Sequence, residues 1–245
     1  MPEQKIISLV PSLTELLIDL GLEDSMAGRT RFCVHPKEKV AKIPIIGGTK
    51  NPDIDKIEQI QPTLVIANQE ENRREDVEEL QQFTDVMVTD ISTIDEALFA
   101  IYDIGRKCGA MNQAEKLIHE IQTELDRIPD ETPRDVAYLI WRSPWMTVGS
   151  DTYIHSVLKN WKLNNIFADQ IRYPKITLDQ IHRKRPDIVL LSSEPFPFKE
   201  KHIQEIAAVC KSANILLVNG EWFSWYGSRM LPSFKKLNAF RRAIS

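Results

Sequence analysis

The chain has 245 residues, 42% of them hydrophobic and 27% charged, with 31 basic against 35 acidic side chains for a net charge of −4. That balance excludes a disordered tail, a peptide-sized module and an overall basic nucleic-acid binder. No window reaches the roughly 18 apolar residues of a transmembrane helix, and the three well-separated cysteines (Cys33, Cys108, Cys210) form neither a disulfide framework nor a zinc site.

The opening residues, MPEQKIISLVPS, have no basic n-region and no long apolar h-region, so no signal peptide is read there. KIISLV predicts a strand. An amphipathic helix follows, with Leu13, Leu16, Leu17 and Leu20 on one face. Pro11 precedes it, Ser12 and Glu15 have capping-box spacing, and Gly21 ends it. IPIIGG reads as the next strand, and Asn51-Pro52 opens a helix with Pro in its first turn. Ile54, Ile57 and Ile60 line one side of that helix, Gln61-Pro62 stops it, and TLVIAN is a strand again. This βαβ order implies a parallel sheet. EENRREDVEELQQF is a charged, solvated helix and DVMVTD another strand.

Two helices come next. One runs from about Ser92 to Arg106 and ends near Gly109; the other opens at Asn112 with Glu115 in capping-box spacing and runs to Pro129. The second, about 24 Å long at 1.5 Å per residue, can run between two lobes. PDETPRD marks a boundary. A second series follows: VAYLIW as a strand, TYIHSVLKNW as a helix, then TLDQIHRKRPDIVLLSS, which repeats the helix–proline–strand phrase DIDKIEQIQPTLVIAN. KEKHIQEIAAVCKSA, NILLVNG and a last helix from about Arg229 complete it. The expected fold is α/β, with two Rossmann-like lobes of parallel sheet joined by a single long helix and a ligand cleft between them. The expected domains are an N-terminal lobe over 1–91, a helical segment including the interlobe helix over 92–130, and a C-terminal lobe over 131–245.

Open α/β sheets bind ligands at the carboxyl ends of their strands. In the first lobe the loops there are GRTRFCVHP, GGTKNP and ANQEENRR; in the second they are WRSPWMTVGSD, the RYPK segment with Tyr173, and NGEWFSWYGSR. Trp141, Trp145, Trp222 and Trp225 fall in the second set, and Arg31, Arg73, Arg74, Arg142 and Arg229 lie in or beside these loops. Flat rings with guanidinium groups suit a large, partly aromatic or anionic ligand. The competing reading is that the tryptophans cover loop edges and the arginines are solvated. An enzyme is harder to build, because no G-x-S-x-G, P-loop or G-x-G-x-x-G is present. Cys33 and His35 could form a nucleophile–base pair, yet no third group is evident. The histidines (His35, His119, His155, His182, His202) are scattered without ligand spacing. No catalytic residue, metal site or cofactor is expected.

ISLVPSLTELLIDLGL, GRTRFCVHP and IPIIGGTKNPDIDKIEQIQPTLVIAN, in that order, resemble the substrate-binding proteins of ABC importers for cobalamin and iron–siderophores. The resemblance covers nearly the whole chain. It implies two lobes bridged by one rigid helix, and capture of a metal chelate for delivery to a membrane permease. It implies that Phe32 occupies an aromatic ligand position and that Thr49 and Asn68 stand where the cobalamin binders have tryptophan. Arg31, Phe32, Thr49, Asn68, Trp141, Arg142, Trp145, Tyr173, Trp222, Trp225 and Arg229 are then the candidate ligand contacts, polar and basic on one lobe and aromatic on the other. That asymmetry points to a ligand more anionic than cobalamin, with any cobalt or iron carried inside the chelate. Asp55 and Asp179 match the acidic residues that pair with permease arginines; first-turn helix acids are the plainer explanation. The resemblance implies a monomer that is periplasmic or membrane-anchored. With no leader read in this chain, a cytoplasmic chelate-binding or sensing protein of the same fold is the alternative.

Overall fold

The computed structural model describes residues 4–244. In chain order the elements are β1 (Ile6–Ser8), α1 (Pro11–Asp19), β2 (Met26–Arg29), α2 (Lys37–Val40), α3 (Ile54–Ile60), β3 (Leu64–Asn68), α4 (Arg74–Leu80), β4 (Val86–Thr89), α5 (Ile94–Lys107) and α6 (Met111–Leu125). There follow β5 (Arg134–Trp141), β6 (Trp145–Thr147), α7 (Tyr153–Asn160), β7 (Leu163–Asn165), β8 (Lys175–Ile176), α8 (Leu178–Lys184), β9 (Ile188–Ser192), α9 (Glu200–Ala207), β10 (Asn214–Val218), α10 (Glu221–Ser224) and α11 (Met230–Ala243). Two compact units result. The first takes residues up to Ile91, Asp95–Ile121 and Tyr226–Met230; the second takes Ser92–Ile94, Gln122–Trp225 and the chain from Leu231 on. The opening segment ends at Ile91, and the later change between units falls after Ile121, where 130 was expected. The helical segment is no unit of its own, α6 contributes to both units, and Tyr226–Met230 leaves the C-terminal lobe for the first unit.

The first unit has a four-stranded parallel sheet in the order β2-β1-β3-β4. Its central strands β1 and β3 are buried at every position, which is why both read as unbroken apolar runs; edge strand β4 is partly exposed. Ile7, Leu9, Ile46, Ile57, Val65, Ala67 and Leu80 form one core cluster. IPIIGG, expected as a strand, makes only the isolated bridges Arg29↔Ile45 and Gly47↔Pro52. The strand beside β1 is instead β2, whose short MAGR run carries no alternation to reveal it.

The start of α1 also differs from expectation. Its N-cap is Val10 without a side-chain cap, and Pro11 is in the first turn, so Ser12 and Glu15 form no capping box. The helix ends as read, in a Schellman motif. Gly21 at φ 80° donates to Ile18, and Leu22 donates to Leu17. α6 begins at Met111, one residue before Asn112. α3 is capped by Asp53, whose carboxylate accepts from the Lys56 amide, so Pro52 lies outside the helix. α8 has a true capping box between Thr177 and Gln180. Both helices end on a left-handed residue, Gln61 and Arg185, before a proline that leads into a buried strand. The two repeated phrases are thus the same structural unit built twice.

The second sheet runs β10-β9-β5-β6-β8, with β7 also on β5. Its β10, β9, β5 and β7 are parallel, as expected, but β6 and β8 are antiparallel. The physical cause is the tight Arg142-Ser143-Pro144 turn, with Ser143 at φ 64°, which folds the chain back onto the end of β5. β7 pairs with Arg134–Val136 and β6 with Leu139–Trp141, so two short strands share the β5 edge that β9 leaves open. Trp161, Phe234 and Phe223 are among the largest fully buried side chains here.

Candidate functional site

The β5–β6 turn and the segment after β9 meet at the carboxyl edge of the second sheet. The Phe196 amide donates to the Ile140 carbonyl, which lays Phe196 and Phe198 beside the turn. Trp141, 39% exposed, meets Phe196 edge-on at 5.7 Å between centroids; Phe196 meets Phe198 at 4.8 Å; Phe198 stacks on Trp145 at 5.9 Å and 7°. Four rings thus form one aromatic cluster, in which Trp141 is exposed, Trp145 and Phe196 are half-buried and Phe198 belongs to the core. Arg142 lies 5.7 Å from the Trp145 ring centre, and its Nε and Nη2 donate to Glu205 at 2.8 and 3.0 Å. The bond to Glu205 drives its already high pKa further up. Trp141, Arg142 and Trp145 were legible as candidates. Phe196, Phe198, His202 and Glu205 were not, because PFPF carries no periodicity and Glu205 sits on an ordinary amphipathic helix.

His202 packs against this cluster. It is 4% exposed and presents its ring to Phe196 and Phe198 at 5.4 Å each, and its Nδ1 accepts from the Lys199 amide at 2.9 Å. That bond places the proton of the neutral ring on Nε2. Burial, then Lys201 and Arg142, push its pKa down, against the Glu205 carboxylate. The folded chain therefore resists a proton that the unfolded chain accepts near pH 6.5. The stabilisation is complete above that pH and is lost as pH falls below it. His155, pushed down by burial and by Lys159, adds in the same direction. The thermal midpoint should fall between pH 7 and pH 5, above the range where carboxylates titrate, and less steeply in His202→Gln. An identical slope in that variant would sink the assignment.

Trp222 and Trp225 belong to the same unit and meet other partners. Trp222 meets Phe240 of α11 edge-on at 6.5 Å. The Trp225 indole donates to Glu194 at 3.1 Å, where the Ser224 hydroxyl also donates at 2.7 Å, so Glu194 ties the loop after β9 to α10. Tyr173 belongs to a stretch that continues antiparallel beside β6. Thr147 donates to Pro174, Gly149 to Arg172 and Ser150 to Gln170. Tyr173 is therefore set back along the sheet from Trp145. A Cβ on Gly149 would lie 2.5 Å from the Ile171 backbone, so this pairing requires glycine.

In the first unit the loops after β2 and β3 carry Arg31, Phe32, Thr49 and Asn68. Phe32 is 53% exposed, with Arg31 5.8 Å from its ring centre. Asn68, expected as a ligand contact, is 2% exposed and fully engaged. Its Oδ1 accepts from the amides of Glu70 and Glu71 and its Nδ2 donates to Thr89. It shapes the loop after β3. Asn72, missed in the sequence, does related work: its Oδ1 accepts from the Asn68 amide and its Nδ2 donates to the Thr49 carbonyl at 2.9 Å. Cys33 is buried against the hydroxyls of Thr14 and Thr30, so its sulfur is held as a small core group. Arg229 is grouped with the first unit, where its Nε and Nη2 clamp Glu15 at 2.7 and 2.6 Å. Asp55 and Asp179 are exposed and occupy the same place, two residues after the N-cap, in α3 and α8; Asp179 also pairs with Arg183 at 2.9 Å.

Similarity to known proteins agrees with this architecture. The chain is 29% identical over 202 residues to an uncharacterized ABC transporter substrate-binding lipoprotein, YvrC, of Bacillus subtilis, a match that covers 76% of this chain and 63% of that protein. The chain thus spans less than two thirds of that relative's length. Its fold matches the periplasmic vitamin B12 binding protein BtuF of Vibrio cholerae with a TM-score of 0.84 at 19% identity, covering 99% of this chain and 98% of that one. It matches the periplasmic heme-binding protein RhuT of Roseiflexus sp. RS-1 equally well, with a TM-score of 0.84 at 19% identity over 99% and 100%. The reading as a binding protein and not an enzyme agrees with these matches. Among the described residues no helix is long and apolar enough to cross a membrane. The periplasmic binding protein family model matches residues 6–209, and with two α/β units whose loops present rings and guanidinium groups at the sheet edges, the chain belongs to that family.

Proposed function

We propose that the chain is the substrate-binding component of an ABC importer and captures a metal chelate of corrinoid, haem or ferric-siderophore type. The observation that carries this reading is the Trp141–Phe196–Phe198–Trp145 cluster, exposed at Trp141, with Arg142 beside it. An exposed tryptophan backed by half-buried rings and edged by a guanidinium suits a large planar or aromatic chelate. The relative named as an ABC transporter substrate-binding lipoprotein supports the transport role. Two folds of equal similarity, one named for vitamin B12 and one for heme, leave the ligand to the side chains.

The metal arrives inside its chelate, so the chain needs no cofactor. In this reading the protein works as a monomer outside the cytoplasm, in a periplasm or on a lipid anchor, and its net charge of −4 suits no nucleic-acid partner. Asp55 and Asp179 dock on the permease, because two exposed carboxylates at equivalent places in repeated units suit a transporter of two-fold symmetry.

The test is a thermal-shift screen with cyanocobalamin, ferric protoporphyrin and ferric siderophores of both charge classes. A ligand at a hundred times its Kd stabilises the fold by about 2.7 kcal/mol. One chelate should raise the midpoint, and Trp145→Ala should weaken its binding at least about tenfold, in line with truncation of an aromatic anchor. The double variant Asp55→Lys/Asp179→Lys should keep binding and lose uptake in cells. No shift with any chelate overturns the reading, and intact uptake in the double variant removes the docking role.

A further inference from the structure

By its place in the WRSPW loop, Arg142 suits pairing with an anion, and folding gives it a different partner. Its Nε and Nη2 donate to Glu205 at 2.8 and 3.0 Å, and its Nη1 donates to the Ser143 hydroxyl at 3.4 Å. The edge of the guanidinium that would clamp an incoming carboxylate already holds one. The guanidinium carbon lies over the Trp145 ring, 5.7 Å from its centre. Arg142 thus extends the aromatic cluster as a flat group while its charge is cancelled at the spot.

The cancelling carboxylate comes from α9. Glu205 follows His202 by three residues, so the two share one side of the helix. His202 is buried against Phe196 and Phe198, and Glu205 reaches the cation beside Trp145. One helix face therefore backs the rings and neutralises their edge. The Arg142 and Glu205 side chains are 36% and 33% exposed. An ion pair this open to water contributes little to stability, so its effect falls on what can approach the rings. A carboxylate arriving at Arg142 must displace Glu205 and then face its uncompensated charge. An amide, ester or apolar edge meets no such penalty.

We infer that Glu205 is a specificity-determining residue of this cluster: it occupies the Arg142 fork, so that the second unit selects a chelate whose edge is uncharged at these rings. This deepens the chelate reading and rests on it.

The test titrates two matched pairs of probes by absorbance and tryptophan quenching. One pair is ferric protoporphyrin and its dimethyl ester; the other is the monocarboxylic acid of cyanocobalamin and cyanocobalamin itself. The proteins are wild type, Glu205→Gln and the double variant Arg142→Gln/Glu205→Gln. Wild type should bind the acid of a pair no more tightly than its neutral partner. Glu205→Gln should shift that ratio about tenfold toward the acid, the size of one charge-assisted contact. The double variant should return the ratio to its wild-type value. A merely structural role for Glu205 would weaken acid and neutral probe together and leave the ratio unmoved. The ligand-free melting point should be nearly the same in all three, in keeping with the exposure of the pair. A wild type that prefers the acid, a ratio unmoved in Glu205→Gln, or a shift that persists in the double variant overturns the role of Glu205 and leaves the chelate reading standing. Binding of neither pair overturns the uncharged-edge class. A ferric siderophore that still raises the midpoint in the screen above then keeps the transport reading, and the failure of every chelate there overturns both.

Discussion

Alanine at Trp161 is expected to cost about 3–5 kcal/mol of stability, the range for emptying a large aromatic site in a core. Trp161 is 1% exposed and follows the last residue of α7. Its ring packs on Phe234 at 4.7 Å, and its indole donates to Asn238 Oδ1 at 2.9 Å. Asn238 in turn donates to the Glu124 carbonyl at 2.9 Å, and Arg241 Nε donates to the Trp161 carbonyl at 2.9 Å. The residue therefore fastens the end of α7 to α11 and, through Asn238, to the end of α6. Removing the ring opens a cavity and strands the Asn238 oxygen in a buried place. Phenylalanine fills most of the volume and loses only the indole donor, so its cost should be about 1–2 kcal/mol. Urea unfolding of the three proteins measures the series. Trp141→Ala, at an exposed ring, should cost well under about 1 kcal/mol. Equal losses at Trp161 and Trp141 would contradict the division between a core tryptophan and site tryptophans.

The second large effect is expected at Arg229. Its side chain is 20% exposed and that of Glu15 12%, and the guanidinium donates two hydrogen bonds to the carboxylate. Arg229→Met leaves the Glu15 carboxylate nearly buried without its cation, at a cost of about 2–3 kcal/mol. That is below the full penalty of a completely buried pair, because some solvent reaches both groups. Adding Glu15→Leu removes the stranded charge and should restore most of the loss. A double variant no more stable than the single one would show that the penalty lies in packing of the Gly227–Arg229 turn, where a Cβ on Gly227 would meet the Ser12 carbonyl at 3.2 Å. Chelate affinity should follow the folded fraction alone, which separates Arg229 from Trp145.

These effects mark where residue spacing is informative and where it fails. Amphipathic helices, Gly21 as a helix stop and the twice-used phrase ending in Pro62 and Pro186 could be read directly. Each depends on contacts within a few residues, and spacing reports such contacts. Glu15 shows the limit. Three residues after Ser12 it has the spacing of a capping box, yet its carboxylate is taken by an arginine 214 residues away. Asn68 shows the same limit in the opposite sense. A polar residue in a ligand loop is, once folded, spent on Thr89 and on the turn after β3.

The order of elements, the two repeated α/β halves and the enrichment of tryptophan and arginine at the sheet edges were determined by the sequence alone, because apolar periodicity and turn chemistry act locally. Which guanidinium already holds a carboxylate was decided only by the tertiary structure. Arg142 and Glu205 are 63 residues apart, and Phe196 and Phe198 reach Trp141 and Trp145 only after β9 pairs with β5. Long-range pairing of this kind depends on strand order and on the Arg142-Ser143-Pro144 reversal, and no local spacing encodes either.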